Sequence, residues 1–120
     1  MTIDVFSQEK FDAIPDDFWG TIFIRFGTLQ ERAVVNRSMR HATVVATRCT
    51  YVEAQRNSYV IAQAHSTVIA TECSIVVAES GSNVFARDKS MVRAQMGSDI
   101  CIVDGEPHVV LMKNEESKEK

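Results

Sequence analysis

From Ala42 to Gly105 the chain alternates apolar and polar residues in short bursts, and the bursts return every eight positions. Cut into octads it reads ATVVATRC, TYVEAQRN, SYVIAQAH, STVIATEC, SIVVAESG, SNVFARDK, SMVRAQMG and SDICIVDG. The third place holds Val44, Val52, Val60, Val68, Val76, Val84 and Val92, then Ile100. The fifth holds Ala46, Ala54, Ala62, Ala70, Ala78, Ala86 and Ala94, then Ile102. The first holds Ala42 and Thr50, then serine from Ser58 through Ser98. These places alternate along the chain, so their side chains share one face of a strand. The last three places carry Arg, Asn, Gly, Asp, His and Lys, the residues of a turn. Asn57, Gly81, Gly97 and Gly105 in the eighth place suit a left-handed backbone.

Stacked copies of this unit make parallel sheets with ladders of identical Val, Ala and Ser, which predicts an all-β fold, a β-solenoid or parallel β-helix. One octad cannot close a coil, because eight extended residues reach only about 26 Å. Three coils remain. Two octads per coil give a flat rung with two facing sheets, three give a triangular prism, and three intertwined chains can each supply one octad per turn. Small inward residues favour closely approached walls, since a broad triangle would leave voids that Val and Ala cannot fill. The expectation is the flat coil. The inward serines, lying next to turns, are placed to bond backbone groups.

The repeat divides the chain into an aromatic N-terminal capping segment (1–41), the solenoid (42–105), and a terminal strand with a charged, disordered tail (106–120). Solenoids need caps, because an open terminal rung exposes apolar surface and unpaired backbone. Five of the six Phe (Phe6, Phe11, Phe18, Phe23, Phe26) and the single Trp19 precede the repeat. Ser7 to Ile14 reads as a short helix capped by Ser7 and broken by Pro15. Thr21 to Phe26 reads as a strand, Val34 to Arg40 as an imperfect first rung, His108 to Met112 as a last strand and Asn114 to Lys120 as the tail.

Composition sharpens this picture. The chain has 15 Val, 9 Ile and 11 Ala against only Leu29 and Leu111, a balance that suits pleated surfaces and excludes a helix bundle. Its 120 residues allow one domain. A net charge of −3 argues against a general binder of nucleic acid or of anionic membranes. No apolar run approaches the ~20 residues that span a bilayer. The segment Met1 to Phe11 lacks the layout of a signal peptide, and three cysteines at no zinc-like spacing point to reduced thiols in the cytoplasm.

Candidate chemistry is sparse. Cys49 and His65 share the eighth place two octads apart, so a flat coil stacks them as a Cys-His pair, but the column continues with Gly81 and Gly97 and offers no third group. They read as turn residues. His41 and His108 stand alone near the two ends of the repeat. Cys49 and Cys73 are three octads apart, stacked in a triangular coil but on opposite edges of a flat one. No phosphate loop, paired carboxylate motif or Ser-His-Asp order is present. The six-residue period of the hexapeptide acyltransferases, enzymes built on a β-helix, is also missing. The chain reads as a non-enzyme with no cofactor and no metal.

The octads resemble those of bacterial and phage proteins that carry Ser-x-x-Val-x-Ala-like runs in tandem. They resemble more distantly the octapeptide needle of contractile phage tails, in which Val-x-Gly repeats build an intertwined three-stranded β-helix. The likeness covers 42–105 and implies a phage or mobile-element protein. This chain has Ala where the needle has Gly, and it lacks a His-x-His tip, which argues against membrane piercing.

Outward apolar residues are the more informative ones. On one face of a flat coil, Tyr59, Ile61, Ile75, Val77 and Met91, with Val45 beside them, form a contiguous patch of the kind that marks an interface. An alternative is that the aromatic N-terminal segment folds over it. The opposite face, with Tyr51, Glu53, Ile69, Phe85 and Arg87, is mixed. Glu72, Asp88 and Asp104 recur in every second octad and line one edge. The functional expectation is a rigid surface for protein partners and self-association, as a dimer first and a trimer second. An inhibitor of a host nucleic-acid-processing enzyme, or a spike or fibre piece, is the alternative.

Overall fold

A computed structural model describes residues 2–37, 39 and 41–112. In chain order these form β1 (Thr2–Val5), α1 (Gln8–Asp12), β2 (Gly20–Ile24), β3 (Ala33–Val35), β4 (Ala42–Ala46), β5 (Tyr51–Ala54) and β6 (Tyr59–Ala62). There follow β7 (Thr67–Ala70), β8 (Ile75–Ala78), β9 (Asn83–Ala86), β10 (Met91–Gln95), β11 (Asp99–Ile102) and β12 (His108–Met112). From β2 onward, successive strands of the repeat alternate between two parallel sheets, ordered β1-β2-β4-β6-β8-β10-β12 and β11-β9-β7-β5-β3. The fold is a β-solenoid of flat coils.

The register shows two octads per coil. Val44 pairs with Val60, Val60 with Val76 and Val76 with Val92, each two octads on, and Val52, Val68 and Val84 do the same in the second sheet. Each coil therefore closes within one chain, so these strands form neither a triangular nor an intertwined coil. Val52, Val60, Val68, Val76 and Val92, with Ala54, Ala62, Ala70, Ala78 and Ala86, are fully buried between the sheets. The two walls approach closely because nothing larger stands between them.

Turns explain the eighth place. Cys49, Asn57, His65, Cys73, Gly81, Gly97 and Gly105 all have φ between 62° and 92°. The left-handed turn is thus kept even where Cys or His must adopt it, against a modest steric penalty. Arg56, Glu72 and Asp88, in the seventh place on the edge that follows the second sheet, are also left-handed, at 51° to 55°. They add a second left-handed residue at Arg56-Asn57 and Glu72-Cys73, whereas Asp88 replaces the eighth-place Lys89 in that role.

The N-terminal segment caps the stack, but only some of its aromatic residues serve. α1 is shorter than the Ser7–Ile14 helix expected, with Ser7 outside it as N-cap accepting from the Lys10 N–H. The helix stands between β1 and β2, where a strand of the second sheet would otherwise lie. Phe11 and Ile14 seal the core from there. Arg37 holds the helix in place, donating to the Phe11 carbonyl at 2.9 Å and to Asp16 at 3.0 Å, with its guanidinium 5.2 Å from the Phe11 ring. Phe6 and Trp19 remain exposed and cap nothing. β1 was not anticipated from the sequence, because two apolar residues, Ile3 and Val5, make too short an alternation to stand out. The predicted strand at Thr21 begins one position earlier and ends at Ile24, while His108–Met112 forms as expected. Of the imperfect rung expected from Val34 to Arg40, only β3 forms, beginning at Ala33 and ending at Val35; Ser38 and Arg40 of that range, and the tail from Asn114, lie outside the described residues.

Coils at both ends depart from the two-octad pitch. Gly20 pairs with Ala42 and Ala33 with Val52, both longer steps than those of the interior. The last coil, from Met91 to His108, is also longer than two octads, by a single position.

Candidate interaction surface

The outward residues of β6, β8 and β10 stack in two ladders. Tyr59, Ile75, Met91 and His108 form one; Phe23, Val45, Ile61, Val77, Arg93 and Val110 form the other. Tyr59 is 42% exposed and Met91 39%, while Ile61, Ile75 and Val77 are half-buried by their ladder neighbours. These five predicted residues do form one apolar surface. A shallow groove of about 400 Å³ runs along its flank between Met39, Thr43, Tyr59, Ile61 and Ile75.

Val45 does not belong to the accessible surface. It is only 6% exposed because Phe23 and Ile61 flank it on the neighbouring strands, and the Arg25 guanidinium sits 5.4 Å from the Phe23 ring. The aromatic N-terminal segment does not cover the patch, since it is taken up at the end of the stack. Arg93 and the exposed Val110 continue the ladder toward the C-terminal end.

Glu72, Asp88 and Asp104 fall on one edge as predicted, but cations interleave with them. Arg56 precedes Glu72 in the same column, at 3.9 Å, and Arg87 donates to Asp104 at 3.1 Å. The hydrogen bond and charge of Asp104 raise the Arg87 pKa above its ordinary value. The row is therefore a mixed-charge edge, exposed and solvated, not a continuous acidic stripe.

Cys49 and His65 stack through their backbones, the Cys49 N–H donating to the His65 carbonyl at 2.9 Å, and the ladder continues through Gly81 to Gly97. Both side chains lie on the exposed turn edge. Cys73 sits on the opposite edge, and Cys49, Cys73 and Cys101 are all free and exposed. Among the described residues no three His, Cys, Asp or Glu side chains are grouped to hold a metal ion. A larger open groove of about 760 Å³ lies near the N-terminal end between Phe6, Phe26, Leu29, Arg32, Val34 and Glu53. It holds one ion pair, Arg32 to Glu53 at 3.3 Å.

One surface escaped the sequence reading. At the C-terminal end the inward places change from Val and Ala to Ile100, Ile102, Val109 and Leu111. Leu111 is 76% exposed and Ile102 58%, although both face the core side of their strands. The signal was present as the switch from Ala94 to Ile102, but a larger inward residue reads equally well as better filling. Comparison with protein-family models, with curated proteins and with solved structures gave no match.

Proposed function

We propose that this protein is a non-enzymatic β-solenoid that presents a rigid surface for protein–protein interaction, self-association included. The observation that carries the reading is the ladder of Tyr59, Ile61, Ile75, Val77 and Met91, apolar and accessible on a sheet whose backbone is locked by its neighbours. Contiguous apolar surface of this kind on a soluble domain marks an interaction site, and a parallel ladder holds it preformed, so little ordering entropy opposes binding. The octads' likeness to bacterial and phage repeat proteins supports a phage or mobile-element origin, and three cysteines at no zinc-like spacing support a place in the reducing cytoplasm.

Inhibition of a host nucleic-acid-processing enzyme through an acidic edge ranks second. The row of Glu72, Asp88 and Asp104 favours it, and the interleaved Arg56 and Arg87 weaken it. An intertwined trimeric spike ranks lower still, because each coil here closes within one chain. Light scattering of the full chain over a range of concentrations tests the reading. The expected result is an assembly of two copies, and a strictly monomeric chain would remove self-association from it.

A further inference from the structure

The two ends of the solenoid are finished differently. At the N-terminal end α1 covers the core, and Gln8 closes the edge of β3 by imitating a strand. Its side-chain amide donates to the Val34 carbonyl at 2.9 Å and accepts from the Val34 N–H at 2.8 Å. At the other end β11 and β12 are the outermost strands of their sheets, with no neighbour beyond them among the described residues. Four inward apolar residues, Ile100, Ile102, Val109 and Leu111, are left partly or largely in water there. Open edges of this kind are templates for pairing with another strand.

The geometry points to a second copy of this chain docked on that end, tail to tail. This rests on the self-association proposed above and assigns it to a different surface. Three observations select the occupant. Residues 113–120, Lys-Asn-Glu-Glu-Ser-Lys-Glu-Lys, contain no apolar side chain of their own and so offer no apolar match to this surface. The N-terminal end of another copy cannot serve either, because α1 fills the layer in which β11 would need a strand. A tail-to-tail copy, by contrast, fits in register.

The register follows from the coil. β11 and β12 lie in opposite sheets and are joined by the turn around Asp104 and Gly105, so Ile102 stands across the core from Val109, and Ile100 from Leu111. A two-fold axis along the strand direction then lays β12 antiparallel to β11 of the second copy. It sets Val109 beside Ile102 and Leu111 beside Ile100 of that copy, with Val110 opposite Cys101 on the outer surface. Both seams form at once, all four inward apolar residues are enclosed, and the two C-terminal ends close each other. The acidic turns with Asp104 and Glu106 meet at one edge, where Arg87 beside Asp104 reduces their repulsion.

Sedimentation equilibrium of the full chain, with circular dichroism to confirm folding, tests the proposal on two variants. Leu111→Glu with Ile102→Glu places carboxylates at exposed positions, so the monomer should fold as before and dimerisation weaken on the order of a hundredfold. Ile61→Lys with Val77→Lys alters the flat face and should leave the dimer intact. The opposite pattern, with the face variant monomeric and the end variant dimeric, overturns this assignment while keeping the function proposed above. A monomeric wild-type chain overturns both this docking and self-association. Val110→Cys supplies a direct reading, since residues directly opposite in antiparallel strands lie within disulfide reach. Mild oxidation should give a dimer on a non-reducing gel with the cross-link mapped to Cys101, and a persistent dimer without that link overturns the register.

Discussion

Ser74 and Ser82 occupy the same place in successive octads and are equally buried, yet their hydroxyls meet different surroundings. Ser82, like Ser66 and Ser98, donates to the carbonyl three positions back, at 2.6 to 2.7 Å. Ser58, Ser74 and Ser90, on the other edge, have no hydrogen-bond partner for Oγ. The sequence expectation that inward serines bond the backbone therefore holds on one edge and fails on the other, where the seventh residue of the preceding octad (Arg56, Glu72 or Asp88) is left-handed. Ser82→Ala should destabilise the protein by about 1 kcal/mol, whereas Ser74→Ala should be neutral or stabilising, because it removes an unsatisfied buried hydroxyl. Urea unfolding of the two variants side by side checks this. Gly105 is a sharper case. Its φ is +75°, and a Cβ there would lie 2.6 Å from the Asp88 backbone, so Gly105→Ala should cost roughly 2 kcal/mol and loosen the last turn.

At the scale of elements, a single rule accounts for β4 through β11, and it was legible because Ser-x-Val-x-Ala recurs unchanged from β6 to β10. Ala42 and Thr50 take the serine place for β4 and β5, and Ile takes the Val and Ala places of β11. Coil closure was legible too, since the small inward residues demanded facing walls. What could not be read were the elements that occur once. β1 is too short to show a period, and the role of α1 depends on Gln8, whose contact with the distant Val34 leaves no local trace. Val45 failed as a surface residue for the same reason, because its cover comes from Phe23 on a strand outside the repeat. Gln8→Ala should lower stability by about 2 kcal/mol, since it strands two backbone groups of a part-buried edge. It should also raise the tendency to aggregate through β3, read as turbidity on heating relative to an exposed control such as Glu9→Ala.

For the whole molecule, stability is close to a sum over rungs and their contacts. Deleting 66–81 removes one complete coil and keeps every remaining octad in phase, so the shortened chain should fold with the same β signature, a lower melting temperature and a length reduced by about 5 Å. Deleting 66–73 alone would exchange the sheets for all later strands and place the face of β8 and β10 on the opposite side; small-angle scattering and thermal melts distinguish the two. The identical two-octad pitch carries a liability as well. Sliding any middle strand by one full coil again sets Val on Val and Ala on Ala, so the interior cannot distinguish correct threading from a slipped one. The information that breaks this degeneracy lies in the coils that do not conform, where Gly20 meets Ala42, Ala33 meets Val52 and Met91 meets His108. These irregular coils act as index marks on an otherwise featureless scale, and a chain stripped of them would be expected to populate a set of shifted, equally well packed states.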